Sequence, residues 1–510
     1  MKKTDIRKAA RSRRAGLPAM ALVLALALAM ALPLAACSGT GAGTGAGAGT
    51  SAESGTSAAA GAETASADAA ESSDGAAGET AAAQPESPAG AGGSGAGAES
   101  GQPEPFTMYW WGGVPFEMGP QQTIEAYREM NPHIEIEYVK LGWDDASNTK
   151  LDTALMSGAG IDVYMPTRGY LEKAEKGLAA ELTTLLADAG IDLMQDIGPD
   201  METYMYDGRY FNIPTSRSDV VFFINMDKLA DAGLSMPAPD WTTDDLLATA
   251  KAMSDGEGAA RTYGVFYTYN WGDMWAQPSN GFFPAYARFN ADQTEILNDP
   301  RMLESASLFA RMQDEDRSTP SYAECAAEKY DPAQMLLTGK SAMVYSGAYV
   351  LRDIKNREAY PHTFKTGFAL PPLSAAYPGE EYHIASLEDP IMISPKTDHP
   401  GESWDFVQWF YRDGFAGFIE YGRIPSYVGY TADQVADILV SGYEDLLDIE
   451  SFKATFSSTR PLNPSVQGVA ASKANTVLNQ QVELAMLGEQ SLEEALANGI
   501  AEGNRALAGE

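Results

Sequence analysis

Residues 105–510 predict an α/β fold, because segments of strand period and helix period alternate along the chain, an order that favours a parallel sheet with helices on its faces. The 406 residues of this part are enough for two domains of ordinary size. No apolar span after Cys37 is long enough to cross a bilayer.

Phe106 to Trp110 reads as a first strand, followed by a Gly112-Gly113 turn and a helix that ends at Asn131-Pro132, where proline blocks continuation. Ile124, Tyr127 and Met130 share the inner face of that helix. Ile134, Ile136 and Tyr138 alternate with Glu135 and Glu137, the pattern of a half-buried second strand. A helix around Leu151, Ala154 and Leu155 is predicted to end at Gly158, and Ile161 to Met165 forms the third strand.

The second half repeats the alternation in another shape. Val220 to Ile224 is a continuous apolar run, as in a strand buried on both faces. Thr242 is placed as an N-cap, with Asp245 three residues on, and Leu246, Leu247, Ala250 and Met253 form the buried stripe that follows. Ser491 and Glu494 form a second capping box, starting a final helix through Leu492, Leu496 and Ile500. No fixed-period repeat is present.

The amino end carries a different signal. Seven basic residues between Lys2 and Arg14 precede an almost wholly apolar stretch from Leu17 to Leu34, and Ala35-Ala36-Cys37 closes it. This looks like a bacterial lipoprotein signal, which implies cleavage after residue 36, acylation of Cys37 and a membrane held through lipid alone. A lone membrane-spanning helix is the competing reading, and both leave the rest outside the cytoplasmic membrane. Residues 38–104 are Gly, Ala, Ser and Thr with scattered acids and neither Lys nor Arg, so 37–104 is expected to be a lipidated cysteine with a disordered tether. Such a chain spans on the order of 45 Å.

Without residues 1–36 there remain 28 basic against 69 acidic side chains, a formal charge of −41. Nucleic acid and anionic membrane surfaces, which need clustered positive charge, are thereby poor partners, and no nucleic acid is expected. With Cys37 acylated, Cys325 has no thiol to pair with, and a buried single cysteine is expected.

An ordered series of segments resembles the family 1 extracellular solute-binding proteins, the receptors that feed carbohydrates to ABC importers. It begins at Trp110 and continues through Met130-Asn131-Pro132-His133-Ile134-Glu135-Ile136, the stretch Lys150 to Gly158, and Ile161-Asp162-Val163-Tyr164. Lys176-Gly177-Leu178, Tyr206-Asp207-Gly208-Arg209-Tyr210-Phe211-Asn212-Ile213-Pro214, Asn225 to Leu229 and Ala232-Gly233-Leu234 follow. The Trp241 helix, Leu337 to Met343 and Ser403-Trp404-Asp405-Phe406-Val407 complete it. Three positions depart from the family: Ile161 before Asp162 in place of proline, Ile224 before Asn225 in place of tyrosine, and Tyr349 in place of the tryptophan of a Gly-x-Trp motif. They leave the identity of the sugar open.

The resemblance implies a two-lobed α/β fold of the type II periplasmic-binding-protein class, with ligand in a cleft between lobes joined by hinge crossings. One lobe is expected from 105–215 plus 366–425 and the other from 219–363 plus 427–510, with crossings near Ser216, Lys365 and Ser426. Lobes of this kind close by hinge motion when ligand contacts both.

A sugar presents apolar C–H faces and a rim of hydroxyls, so a cleft needs flat aromatics and planar polar groups. Trp110 and Trp111 lie at the carboxyl edge of the first strand, where α/β proteins place ligands. Trp271 and Trp275 fall in a stretch rich in Asn, Gly and Gln that suits a loop, and Tyr345 and Tyr349 flank Ser346-Gly347 at the family's Gly-x-Trp position. For the hydroxyls the candidates are Thr167, Arg168, Arg217, Asp389 and Arg423, arginine being favoured by its planar fork. Trp241, Trp404 and Trp409 read as packing residues on helices.

The expected function is therefore capture of a mono- or oligosaccharide and its delivery to an ABC permease by a monomer with neither cofactor nor metal. The alternatives are a tethered glycoside hydrolase, a receptor for a non-sugar solute such as a peptide, and a surface protein that binds a macromolecule. G-x-S-x-G and H-E-x-x-H are missing from the folded part, Gly339-Lys340-Ser341 lacks the first glycine of a phosphate loop, and His133, His362, His383 and His399 lie far apart.

Overall fold

The computed structural model describes residues 104–379, 385–456, 466 and 469–509. The signal of residues 1–36, Cys37, the tether through residue 103 and His383 lie outside the described residues.

Among the described residues nine strands alternate with helices: β1 Phe106–Gly112, β2 Ile134–Lys140, β3 Val163–Met165, β4 Ile213–Asn225, β5 Tyr263–Tyr267, β6 Ser341–Gly347, β7 Thr366–Ala369, β8 Ala385–Ile393 and β9 Ile424–Pro425. The helices that matter below are α1 Pro120–Met130, α2 Asp145–Ser157, α3 Thr243–Ala252, α4 Tyr322–Glu328, α5 Pro400–Arg412, α6 Val469–Met486 and α7 Leu492–Ala508.

Local chemistry sets most of these boundaries. Pro120 occupies the first turn of α1, where its missing N–H costs nothing, and Thr123, Ile124 and Tyr127 form the buried face. Asp144 accepts a hydrogen bond from the Ser147 amide to start α2, and Gly158 ends it at φ 72°, a left-handed cap that a β-carbon disfavours. In β2, Ile134 and Ile136 are buried while Glu135 and Glu137 are exposed. Both expected capping boxes are present, Thr242 with Asp245 at α3 and Ser491 with Glu494 at α7.

The strand order is β2-β1-β3-β8-β4-β6-β5, with β7 and β9 also paired to β4. In the first lobe β1 runs parallel to β2 and β3; in the second, β5 runs parallel to β6. The sheet is not parallel throughout. Both β4 and β8 pass from one lobe to the other and pair antiparallel with their neighbours, because a strand that returns across a crossing meets the outgoing one head to tail. Through Asp219, β4 pairs with β8, and from Val220 onward it pairs with β6.

The segment after Lys365 departs from the expected division. β7 pairs with Phe222–Asn225 of the second-lobe half of β4, and Trp241 Nε1 donates to the Leu370 carbonyl at 2.8 Å. Residues just past 366 therefore pack with the second lobe, and the chain changes lobe on β8, where Ile393 pairs with Val163.

The core follows the strands. Met108, Trp110, Ile134, Val163, Phe406 and Phe410 fill the first lobe, and Phe222, Val265, Tyr267, Met343, Tyr345 and Phe309 fill the second. No helix among the described residues is long and apolar enough to cross a membrane.

Candidate functional site

The carboxyl ends of β1, β2 and β3 converge on one wall. The first-strand turn packs so tightly here that a β-carbon on Gly113 would lie 2.7 Å from Thr167 Cγ2 and 3.3 Å from the Trp143 ring. Glycine at this position lets Thr167 and Trp143 meet over the turn. Arg168 Nη2 donates to the Trp143 carbonyl at 2.8 Å, tying the loop after β3 to the loop after β2. The Trp143 ring is 51% exposed and Phe116, in the turn after β1, is 43% exposed. Sequence reasoning missed both, although Trp143 follows β2 as Trp111 ends β1, and the same edge rule would have found it.

The floor is charged and is built from the crossing strands. Arg423, just before β9, stands 3.2 Å from Asp389 and 3.5 Å from Glu388. Arg217 grips Asp219 with a 2.9 Å contact, and Asp219 is wholly buried. Burial raises the Asp219 carboxyl above the ordinary range against the pull of Arg217. Glu388 was not among the predicted residues. Its side chain is 40% exposed, yet protein surrounds it closely enough that loss of hydration, then the Asp389 charge, pushes its carboxyl up to about 6 against Arg423 and a hydrogen bond from Ser218. Tyr138 connects floor to wall: its hydroxyl donates to the Val114 carbonyl at 2.7 Å, and burial first, then Asp389, raises its pKa.

The second lobe adds the opposite wall. Ser218 lies 3.8 Å from where a β-carbon on Gly347 would sit, and the Tyr349 ring lies 3.0 Å from the same point. Ser346 Oγ donates to the Tyr349 hydroxyl at 2.9 Å, and the Thr268 hydroxyl reaches the Tyr345 carbonyl at 3.0 Å. Burial raises the Tyr349 pKa, so the hydroxyl stays neutral and available as a donor. Trp271, in a short 3-10 turn after β5, is 39% exposed.

These neighbours bring Thr167, Arg168, Arg217, Tyr349, Asp389 and Arg423 onto one surface with Trp143 and Glu388. Trp111 is half-buried on the other face of β1, with Lys150 Nζ 5.7 Å from its ring. Three expected contacts are core residues here. Trp110 is wholly buried, with Tyr138, Phe406 and Phe410 packed edge-on at 5.0 to 5.3 Å, because strand alternation turns it inward. Trp275 is buried beneath Arg288 at 4.9 Å and donates to Asn479, and Tyr345 lies among Phe222 and Tyr267, so neither shows a face to a ligand.

The arrangement offers flat apolar faces on both walls and planar charged groups between them, which suits a ligand with apolar faces and a hydroxyl rim. Among the described residues no group of three or more His, Cys, Asp or Glu is placed to hold a metal ion. Cys325 is buried on α4, and burial pushes its thiol up to about 12.

Similar proteins share this plan. The maltotriose-binding protein of Pyrococcus abyssi is 24% identical over 299 residues, which take in 57% of this chain and 58% of that relative's length. A sugar transporter from Rhizobium etli, solved in an open conformation, superposes with a TM-score of 0.63 at 20% identity, covering 79% of this chain and all of that one. An ABC substrate-binding protein of Listeria monocytogenes, in complex with cycloalternan, gives 0.61 at 20% identity with the same coverage. The neighbours establish the two-lobed fold, and the model of the bacterial extracellular solute-binding proteins matches residues 119–416. That match takes in more than half of the sequence, and the chain belongs to this family of extracellular solute-binding proteins.

Proposed function

We propose that this protein captures a carbohydrate, in the oligosaccharide range, between its lobes and hands it to an ABC permease without chemical change. The observation that carries the reading is the set of rings on the two lobes, exposed Trp143 and Phe116 on the first and exposed Trp271 with half-buried Tyr349 on the second, together with the Arg217, Glu388 and Arg423 groups on the crossing strands. Stacked rings contribute about 0.5–1.5 kcal/mol each beyond the area they cover, so several together reach useful affinity. Relatives that bind maltotriose or cycloalternan support a glucose-based oligosaccharide as the first ligand to try. Acylation at Cys37 would keep the receptor near its permease at high effective concentration.

Thermal-shift and calorimetric titrations with maltose, maltotriose and cyclic glucans test this. Ligand at a thousand times its Kd adds about 4 kcal/mol of stability. A shift with sugar recovered intact on chromatography is the expected result, and a panel of sugars that leaves the melting temperature unchanged would end the carbohydrate reading. Hydrolysed sugar would instead identify a glycosidase. Fatty-acid labelling that persists in Cys37→Ser would remove the anchor.

A further inference from the structure

A cavity of about 750 Å³ opens at the amino ends of β5 and β6, where Tyr263 and Lys340 stand, on the opposite edge of the second-lobe sheet from Thr268, Ser346 and Tyr349. Strands rise about 3.3 Å per residue, so roughly 15 Å of sheet separates it from the carbohydrate surface. Its size falls within the range of small-molecule sites.

One wall is a connected polar network. The hydroxyls of Tyr263 and Tyr330 both donate to Glu324, at 2.6 and 2.9 Å, and Lys340 Nζ donates to the Tyr330 hydroxyl at 3.0 Å. The Arg261 guanidinium lies 5.6 Å from the Tyr263 ring centre, and Lys340 Nζ lies 4.5 Å from that of Tyr330. The network fixes both rings and sets a cation on each.

The rim is held in an unusual conformation. Arg261 also bonds the carbonyl of Arg317, whose φ is 50°, a left-handed geometry that a non-glycine residue keeps only when its surroundings impose it. A π-helical turn, Arg311–Glu315, leads into this wall, a geometry frequent at functional sites. Among the described residues, the buried Thr319 hydroxyl on the same wall has no partner. Among the described residues, the Arg317 guanidinium and the Glu257 and Glu328 carboxylates make neither a hydrogen bond nor a close ion pair.

Exposed charges of both signs, with Glu328 also in the field of Lys340, thus line one space. A simple anion would meet Glu257 and Glu328, a simple cation would meet Arg317, and a sugar ring would find a cation already on each tyrosine. A ligand with separated charges satisfies both sets. We propose that this cavity binds a small zwitterion of the amino-acid class, its carboxylate on Arg317 and its ammonium on Glu257 and Glu328. The site is independent of the carbohydrate surface and stands whether or not that surface takes sugar.

Calorimetric titration with L-alanine, L-glutamine and L-proline, each beside its N-acetyl amide, tests the proposal. Binding of a zwitterion and not of its uncharged amide is expected, with Arg317→Ala and Glu328→Gln each weakening it about tenfold or more. Silence from all three amino acids overturns the proposal, as does equal binding of the amides or undiminished affinity in Arg317→Ala. If Arg317→Ala fails to fold, Arg317→Gln carries the same prediction. Tyr349→Ala should leave zwitterion binding intact, and its loss there would move the ligand to the other surface and overturn the assignment.

Discussion

Ser216 Oγ donates to Asp389 Oδ2 at 2.8 Å, joining β4 to β8 where both strands cross between the lobes. Asp389 sits at φ 50°, and the strand register skips from Pro214 to Ser216 opposite it. Left-handed backbone costs roughly 1–2 kcal/mol for a residue with a β-carbon, and the Ser216 and Arg423 contacts offset it.

Asp389→Ala keeps the strained backbone and removes both contacts, so a loss of about 1–3 kcal/mol is expected. Asp389→Asn, which can still accept from Ser216, should lose less. Urea midpoints of the two variants check the order; equal midpoints would mean that the contacts do not offset the strain.

Glu388 predicts a pH dependence with a definite sign. Its folded value of about 6 lies above the unfolded 4.5, so the folded protein holds the proton more tightly. The stability it contributes is complete below 4.5 and is lost as pH rises through about 6. Glu388→Gln should flatten this part of the stability profile between pH 4 and 7 and raise the melting temperature at pH 7. A profile identical to the wild type would show that Glu388 titrates normally.

Trp143→Ala and Tyr349→Ala should each weaken oligosaccharide binding by about tenfold, with melting temperatures within a few degrees of the parent. Calorimetry reads both. Unchanged affinity in Trp143→Ala would take the first-lobe wall out of the site.

Trp110→Ala should behave differently from its neighbour. Removing a wholly buried tryptophan costs about 3–5 kcal/mol, and the packing of Tyr138 and Phe406 against it leaves a cavity that cannot close. Trp111→Ala, at a half-buried position, should cost less than half as much, as denaturant unfolding can show.

Elements governed by local rules were readable from sequence. The proline that follows α1 at Pro132, the glycine that ends α2 and the two capping boxes depend on residues within a few positions of one another. What depends on distant partners was less so. The first half of β4 is polar, Thr215 to Asp219, and becomes a strand because β8 and β9 flank it. Helix α6 carries Asn475 and Asn479, which look like surface residues until Arg288 and Trp275 are seen to bond them. Of the proposed site, the arginines and Tyr349 are residue types that the sequence singles out as suited to a sugar. Trp275 and Tyr345 misled because a loop-like composition and a small Ser346-Gly347 motif gave no sign of burial.

The crossing strands also govern the order in which the chain can fold. As it emerges from its amino end, β1, β2 and β3 can pair at once, but the outer edge of β3 waits for Met392 and Ile393, and Asp162 waits for Thr397, 235 residues away. Amino-terminal fragments that stop short of β8 keep an open edge ready to pair with other chains. Assembly of the first lobe is thereby deferred until β8 and the Thr397 turn after it have been made.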